Sequence, residues 1–221
     1  MNGAALLHLL QLASPALPIG GYSYSQGLET ALEEGLVTDA ASAQAWIARA
    51  LTEVVARWEA PLLWRLMAAF AARDMATVAE LGECYLASRD TAELRAETVQ
   101  MGYSLAHLLA ELGLADCAPS GMEATLPLAY ACAVDALAIP HDEALLASIF
   151  AWAENQVLVC VKSVPLGQVA GQRLLLALGP AIERAAGIAR ELPDHALSNW
   201  APGLSMLSMR HEVQHGRLYR S

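Results

Sequence analysis

Three residues near the end of the chain, His211, Glu212 and His215, form the pattern H-E-x-x-H. On an α-helix this spacing places two imidazoles on one face beside a carboxylate, as in zinc peptidases. A catalytic zinc also needs a third protein ligand and an open position for water. The segment after His215 contains no imidazole or carboxylate, and Leu218 and Ser221 replace the glycine and third histidine of the extended pattern. A zinc-dependent hydrolase is therefore the disfavoured alternative.

The same spacing also predicts an interaction helix, which is the favoured interpretation. On a helix, His211 and His215 would share a stripe with apolar residues, a face suited to packing on a partner. The apolar members of this stripe are Leu204, Leu207 and Leu218. We therefore predict a binding role for this segment and no metal site.

Other patterns of catalytic residues are incomplete. Residues 21–25 read G-Y-S-Y-S instead of the G-x-S-x-G of a nucleophile elbow. Gly20 and Gly21 lack the following lysine and the spacing of a phosphate-binding loop. The sequence predicts no catalytic residue and no nucleotide site.

The composition is 56% hydrophobic and 16% charged, with a net charge of −10. Prolines, glycines and charged residues interrupt every apolar run before it reaches the length of a membrane span, so no membrane is expected. The negative charge argues against nucleic acid. The last nineteen residues reverse the sign, with three arginines against one glutamate giving +2. A basic end on an acidic body suggests docking on something acidic.

The four cysteines include no C-x-x-C pair. We expect all four to be buried and reduced, as in a cytoplasmic protein. The apolar run near the start has no preceding Lys or Arg and no A-x-A cleavage site, so no signal peptide is predicted.

Apolar residues recur at three- and four-residue spacing, and sustained alternation is absent, which predicts an all-α fold. We expect one domain, residues 1–221, with about nine or ten helices. The predicted helices are 1–12, 26–34, 39–58, 61–72, 75–88, 91–112, 142–162 and 204–216, and Pro61 begins or kinks the fourth of them. A further helix opens with a capping box of Ser120 and Glu123 and is bent or restarted at Pro127. Pro165 ends the helix 142–162, and one or two more helices lie within 166–191. Residues 1–25 and 204–221 are expected to become ordered when a partner covers them.

Three segments together resemble one known family. They are LASPALPIGGYSYSQGLE at residues 12–29, VKSVPLGQ at 161–168 and MRHEVQHGRLYRS at 209–221. In this order, in a helical chain of this length, they resemble the UreF family of urease accessory proteins. The resemblance implies an all-helical chaperone without enzymatic activity or a cofactor of its own.

The resemblance also implies partners. Such a protein joins a UreD/UreH-type accessory protein, recruits the GTPase UreG and supports nickel insertion into apo-urease, in the cytoplasm and as a homodimer within the complex. GTP and Mg²⁺ belong to the GTPase, and nickel is handled transiently by the complex. The residues expected to contact partners are Gly20, Gly21, Tyr22, Tyr24, Lys162, Arg210, His211, Glu212, Arg217, Leu218, Tyr219 and Arg220.

Lys162 is the sole lysine and admits two interpretations. It lies near a predicted helix C-terminus, where the helix dipole favours a cation. The resemblance instead implies a point charge presented to the GTPase. At position 215 the family often has tyrosine, so the resemblance assigns no metal role to His215.

Overall fold

The computed structural model describes residues 1–117, 122–164 and 166–221. Its helices are α1 (Gly3–Leu12), α2 (Leu28–Glu33), α3 (Ala40–Ala50), a π-helical segment (Leu51–Glu59), α4 (Ala60–Ala71), α5 (Met75–Ala87), α6 (Ala92–Glu111), α7 (Leu126–Ala136), α8 (His141–Ser163), α9 (Gln168–Glu191) and α10 (Pro202–His211). No β-strand occurs in these three ranges. The predicted all-α fold class is confirmed.

Side-chain caps decide where several helices begin. The Asn2 side chain accepts a hydrogen bond from the Ala5 amide at the start of α1. Asp39 and Ser42 form a reciprocal capping box at α3, and the Thr91 hydroxyl caps α6. Each cap satisfies an amide that has no partner within the helix. These starts lie within two residues of the predicted ones because caps are local in sequence.

The helix predicted to begin or kink at Pro61 is continuous with the helical residues before it. Residues 40–71 run on through the π-helical segment, which ends at Glu59, two residues before Pro61. Proline has no amide hydrogen, so it cannot donate to the Arg57 carbonyl one turn earlier. The Ser198 amide donates to that carbonyl at 3.1 Å, while the Ala60 amide reaches back five residues to the Val55 carbonyl. A distant segment therefore satisfies the acceptor that the proline leaves open.

The core is built around α7, whose residues 127–134 are all buried. It packs between α4 and α6, while α8 packs along α9. Helix α8 has the length and apolar composition of a membrane span, but a single such helix is weak evidence for one. Its contacts with α9, α3 and α4 account for that composition, because its inward residues belong to the hydrophobic core.

Within residues 166–191, where one or two helices were predicted, α9 is one continuous helix with Pro180 inside it. Helix α10 ends at His211, five residues before the predicted end. The predicted capping box at Ser120 and the helix stop at Pro165 lie outside the described residues.

The expectation of four reduced cysteines is wrong. Cys117 and Cys132 form a disulfide bond that joins the segment after α6 to the middle of α7. Both residues are buried. Cys84 is free and exposed, and Cys160 is free and buried. The fold brings together two cysteines fifteen residues apart in sequence, a pairing that their spacing did not predict.

Candidate functional site: the tail docked on the N-terminal loop

Two of the segments that resemble the family lie against each other. The tail, residues 212–221, packs on the N-terminal loop, residues 13–27. The amides of Ser25 and Gln26 donate to the Ser221 carbonyl at 2.8 and 3.1 Å. The Arg220 amide donates to the Ser23 carbonyl at 2.7 Å. Because these are main-chain contacts, they hold the tail in a defined register on the loop.

Glu29 anchors the tail from α2. Its carboxylate accepts hydrogen bonds from the amides of Leu218 at 2.7 Å and Tyr219 at 3.1 Å. The same carboxylate faces His211 Nε2 at 2.9 Å. One buried side chain thus binds the tail backbone and the end of α10 together.

His211 is fully buried between two carboxylates. Its Nδ1 lies 2.6 Å from Glu93 on α6, and its Nε2 faces Glu29. An ionised carboxylate only accepts hydrogen bonds, so an imidazolium that donates from both nitrogens satisfies this arrangement. Both ring nitrogens are therefore occupied within the chain.

The zinc interpretation of H-E-x-x-H fails in the structure. Because α10 ends at His211, Glu212 and His215 lie beyond the helix and share no face with it. Glu212 instead accepts a hydrogen bond from the Ala92 amide at 2.9 Å, which caps the start of α6. His215 is exposed. Within the described part of the chain, no group of three or more His, Cys, Asp or Glu residues could hold a metal ion.

Two of the three arginines of the last segment pair with acidic residues of the same chain. Arg210 pairs with Glu34 at 2.6 Å, and Arg217 pairs with Glu93. The sequence suggested docking of this basic segment on something acidic. For these two arginines the acidic groups belong to the protein itself, Glu34 directly after α2 and Glu93 on α6. These pairs are partly exposed, so each contributes little stability alone. Of the two pairs, only Arg217–Glu93 connects the tail to α6.

The N-terminal loop holds its predicted residues in different environments. Gly20 has a φ of +78°, a conformation that favours glycine. A Cβ on Gly21 would lie 3.2 Å from Met101 Cε. Tyr22 is half-buried, whereas Tyr24 is buried and its hydroxyl donates to Gln100 at 2.7 Å. Tyr24 therefore anchors the loop to α6 instead of presenting surface to a partner.

Residues 161–168, the third segment that resembles the family, contact the tail through Lys162. This residue lies in the last turn of α8, and its Nζ is 5.9 Å from the centre of the Tyr219 ring. That distance falls within the range of a cation–π contact. Lys162 is exposed and Tyr219 is buried, so the tail helps to position the lysine at the surface.

Glu97 on α6 completes the junction and was missed by the sequence interpretation. Its carboxyl accepts hydrogen bonds from Gln26 Nε2 at 2.6 Å and from the Ser221 hydroxyl at 2.8 Å. Burial raises the pKa of Glu97 to about 7, against the opposing effect of these two hydrogen bonds. Glu97 also lines a cavity of about 190 Å³ beneath the loop. No local pattern marked it, because α6 carries other glutamates at similar spacing.

The docked tail leaves apolar side chains on the surface. The exposed large apolar residues of α10 and the tail are Met206, Met209, Val213 and Leu218, with Trp200 shortly before α10 and Leu6, Leu7 and Leu10 on α1. These apolar side chains make α10 and the tail a candidate surface for contact with another protein.

Comparison with known proteins agrees with these features. The UreF family model matches residues 37–179. Over 226 residues, and the full length of both chains, the protein is 60% identical to a urease accessory protein UreF of Janthinobacterium sp. (strain Marseille). It is 57% identical over 222 residues, 98% of each chain, to that of Nitrosospira multiformis. The chain therefore belongs to the UreF family of urease accessory proteins, which are non-catalytic chaperones of urease maturation.

Proposed function

We propose that this protein is the scaffold that joins a UreD/UreH-type accessory protein, recruits the GTPase UreG and supports nickel insertion into apo-urease in the cytoplasm. The observation that carries the proposal is the convergence of the loop, the tail and Lys162 at one place. A surface built from three distant segments exists only in the folded chain. Such a surface suits recognition of partners.

The accessory partner is proposed to cover the exposed apolar residues of α10 and the tail. Val213 and Leu218 are 76% and 74% exposed, although the backbone around Leu218 is fixed by Glu29. Because the backbone that carries these apolar side chains is already fixed, less conformational entropy is lost when a partner binds. That residues 1–25 and 204–221 gain further order on partner binding stays a prediction, as does a homodimer within the complex.

Nickel is cargo in this proposal, and GTP and Mg²⁺ are bound by the GTPase. The proposed contact residues on this chain are those exposed at the junction, above all Lys162, Arg210, Arg217, Leu218 and Arg220. His211 and Tyr219 are buried, and the Glu212 carboxylate caps α6, so these residues act within the chain. These three residues hold the docking surface in shape.

The double variant Val213→Ser, Leu218→Ser tests the partner surface. We expect its affinity for the accessory partner to fall at least about tenfold, because buried apolar anchors dominate binding at interfaces. Titration of the purified partner by calorimetry measures this change. The matched control is Leu112→Ser, Leu114→Ser, which removes two exposed leucines after α6.

Equal affinity of the two double variants would count against this surface. These substitutions are preferable to deleting residues 209–221, because the deletion removes the buried His211 and Ser221 together with the surface. Thermal unfolding of both variants should match the parent protein, since the replaced side chains are exposed.

Lys162→Met tests the contact with the GTPase. We expect affinity for the GTPase to fall about fivefold, the usual effect of losing one exposed charge pair of about 1 kcal/mol. The variant should retain its thermal stability, because Lys162 is exposed. Lys162→Arg keeps the charge and serves as the control. If Lys162→Met bound the GTPase with wild-type affinity, the only remaining interpretation of Lys162 would be a cation that interacts with the helix dipole of α8.

A further inference from the structure

The cavity of about 190 Å³ beneath the N-terminal loop is large enough for a small organic molecule. Its lining comes from the loop, the π-helical segment and helices α4, α5, α6, α7 and α8, and most of the lining residues are apolar or aromatic. For comparison, an apolar cavity of about 150 Å³ in another protein binds benzene. The cavity here therefore has room for a benzene-sized body that carries a short polar group.

The charged residues of the lining are two glutamates and one arginine, Glu59, Glu97 and Arg89. Arg89 forms an ion pair with Glu59, with an N–O distance of 2.8 Å. Glu97 accepts hydrogen bonds from the neutral Gln26 amide and Ser221 hydroxyl, and within the described residues no cationic side chain binds its carboxyl. Both hydrogen bonds favour the ionised carboxylate. The ionised lining therefore carries one negative charge more than it has positive charges.

Three aromatic rings of the lining provide a second attraction for a cation. They belong to Tyr22, Tyr130 and Trp152. The face of an aromatic ring attracts an organic cation within about 6 Å of its centre. The Tyr130 hydroxyl donates to the Ala144 carbonyl at 2.9 Å, and the Trp152 indole donates to Gln26 at 2.7 Å. These hydrogen bonds hold two of the rings in place and use the donors that an anion would need.

An anionic ligand fits the same cavity poorly. Arg89 is the only cationic residue among the lining residues, and its guanidinium donates to Glu59 and, at 3.2 Å, to the Ser88 hydroxyl. The guanidinium also lies over the Tyr85 ring, 4.3 Å from the ring centre. A carboxylate or phosphate would have to displace these contacts and would face two glutamates. The charge of the lining therefore favours a cation.

We propose that this cavity binds a small amphipathic organic cation, a primary ammonium group on an apolar or aromatic body of about eight non-hydrogen atoms in all. The ammonium group lies against Glu97 and the aromatic rings, and the body fills the apolar part of the cavity. Such a ligand contacts the N-terminal loop, α6 and α8 together, so its binding stabilises the loop on these helices. The site belongs to the isolated chain and does not depend on the proposed scaffold function.

Three benzene derivatives of similar size test the charge of the ligand. At about pH 8 benzylamine is a cation, benzyl alcohol is neutral and benzoate is an anion. Glu97, whose pKa burial raises to about 7, is mostly ionised under these conditions. We expect benzylamine to bind with a Kd of about 1 mM or below, at least about fivefold tighter than benzyl alcohol, and benzoate to show no saturable binding up to about 10 mM. Amide NMR titrations measure these constants, and the amides of Gly21, Met101 and Ala151 should shift.

Filling the cavity tests where the ligand binds. Ala151→Phe adds a ring to the lining on α8, and we expect it to weaken binding of both benzylamine and benzyl alcohol at least about tenfold. Ala177→Phe is the matched control, because Ala177 is exposed on α9 and does not line the cavity. Undiminished binding by Ala151→Phe would place the ligand elsewhere and overturn the proposal.

Glu97→Gln tests the carboxyl that is assigned to the ammonium group. The amide carries no charge, so benzylamine and benzyl alcohol should bind this variant with affinities within about twofold of each other. Glu83→Gln removes an exposed carboxyl on α5 and should keep the preference of the parent protein. If Glu97→Gln still preferred benzylamine as strongly as the parent protein does, the assignment of Glu97 would be wrong.

The comparison of the three compounds on the parent protein requires no variant, so it holds even if a substitution impairs folding. The proposal fails if benzylamine shows no saturable binding below about 10 mM, or if benzoate binds as tightly as benzylamine. Neither result involves a partner protein, so failure of the ligand site is distinct from failure of the scaffold proposal.

Discussion

Replacing His211 with alanine is expected to lower the free energy of unfolding by about 3–5 kcal/mol, the range for removing one partner of a buried ion pair. The variant leaves the carboxylates of Glu29 and Glu93 facing a void without the ring that donates to both. It also removes a fully buried side chain from the junction of α2, α6 and α10. Chemical denaturation followed by circular dichroism measures the loss.

His215→Ala provides the matched control. His215 is the second histidine of H-E-x-x-H, and it is exposed. Its replacement should change the free energy of unfolding by no more than about 0.5 kcal/mol. If the two alanine variants unfolded at the same denaturant concentration, the buried network would not be a source of stability. A metal site would require both histidines, whereas the structure predicts a large effect from one alone.

The His211 variant should also affect function through the tail. Glu29 would still bind the amides of Leu218 and Tyr219, but it would lose its link to the end of α10. The apolar partner surface would then be less well positioned, which raises the entropic cost of docking.

Replacing Gly102 with alanine is the second change with a large expected effect. A Cβ at this position of α6 would lie 2.0 Å from the Ala124 carbonyl oxygen and 2.3 Å from the Thr125 carbonyl carbon. Both contacts are with backbone, so no side chain can rotate away. Helices α6 and α7 would have to separate, and we expect a loss of about 4 kcal/mol, beyond ordinary overpacking. Thermal unfolding of the variant measures this loss.

Gly187→Ala on α9 is the control for this substitution. Its Cβ would meet nothing within 4 Å, and its φ is not in the left-handed region. Alanine is a better helix former than glycine, so this variant should gain up to about 1 kcal/mol. A loss of stability in Gly102→Ala beside a gain in Gly187→Ala would show that the loss comes from the close approach of α6 and α7. Equal effects at both positions would refute it.

The sequence by itself determined the helices and the family. Apolar spacing at three and four residues predicts helices because side chains at that spacing share one face, and caps such as Asp39 lie beside the amides that they bind. The three quoted segments identified the UreF family, which full-length relatives confirm. These signals are local, or they follow from a resemblance of the whole chain, so they do not depend on the packing of distant segments.

The tertiary structure decided what the motif residues do. Because α10 ends at His211, the three residues of H-E-x-x-H have separate environments. His211 is buried, Glu212 caps the start of α6, and His215 is exposed. Two arginines of the last segment pair with acidic residues more than one hundred positions away in sequence, and Cys117 forms a disulfide bond with Cys132. Contacts between distant segments depend on how the helices pack, and spacing along the chain does not encode that packing. The pKa of Glu97 has the same origin, because burial is a property of the packed molecule.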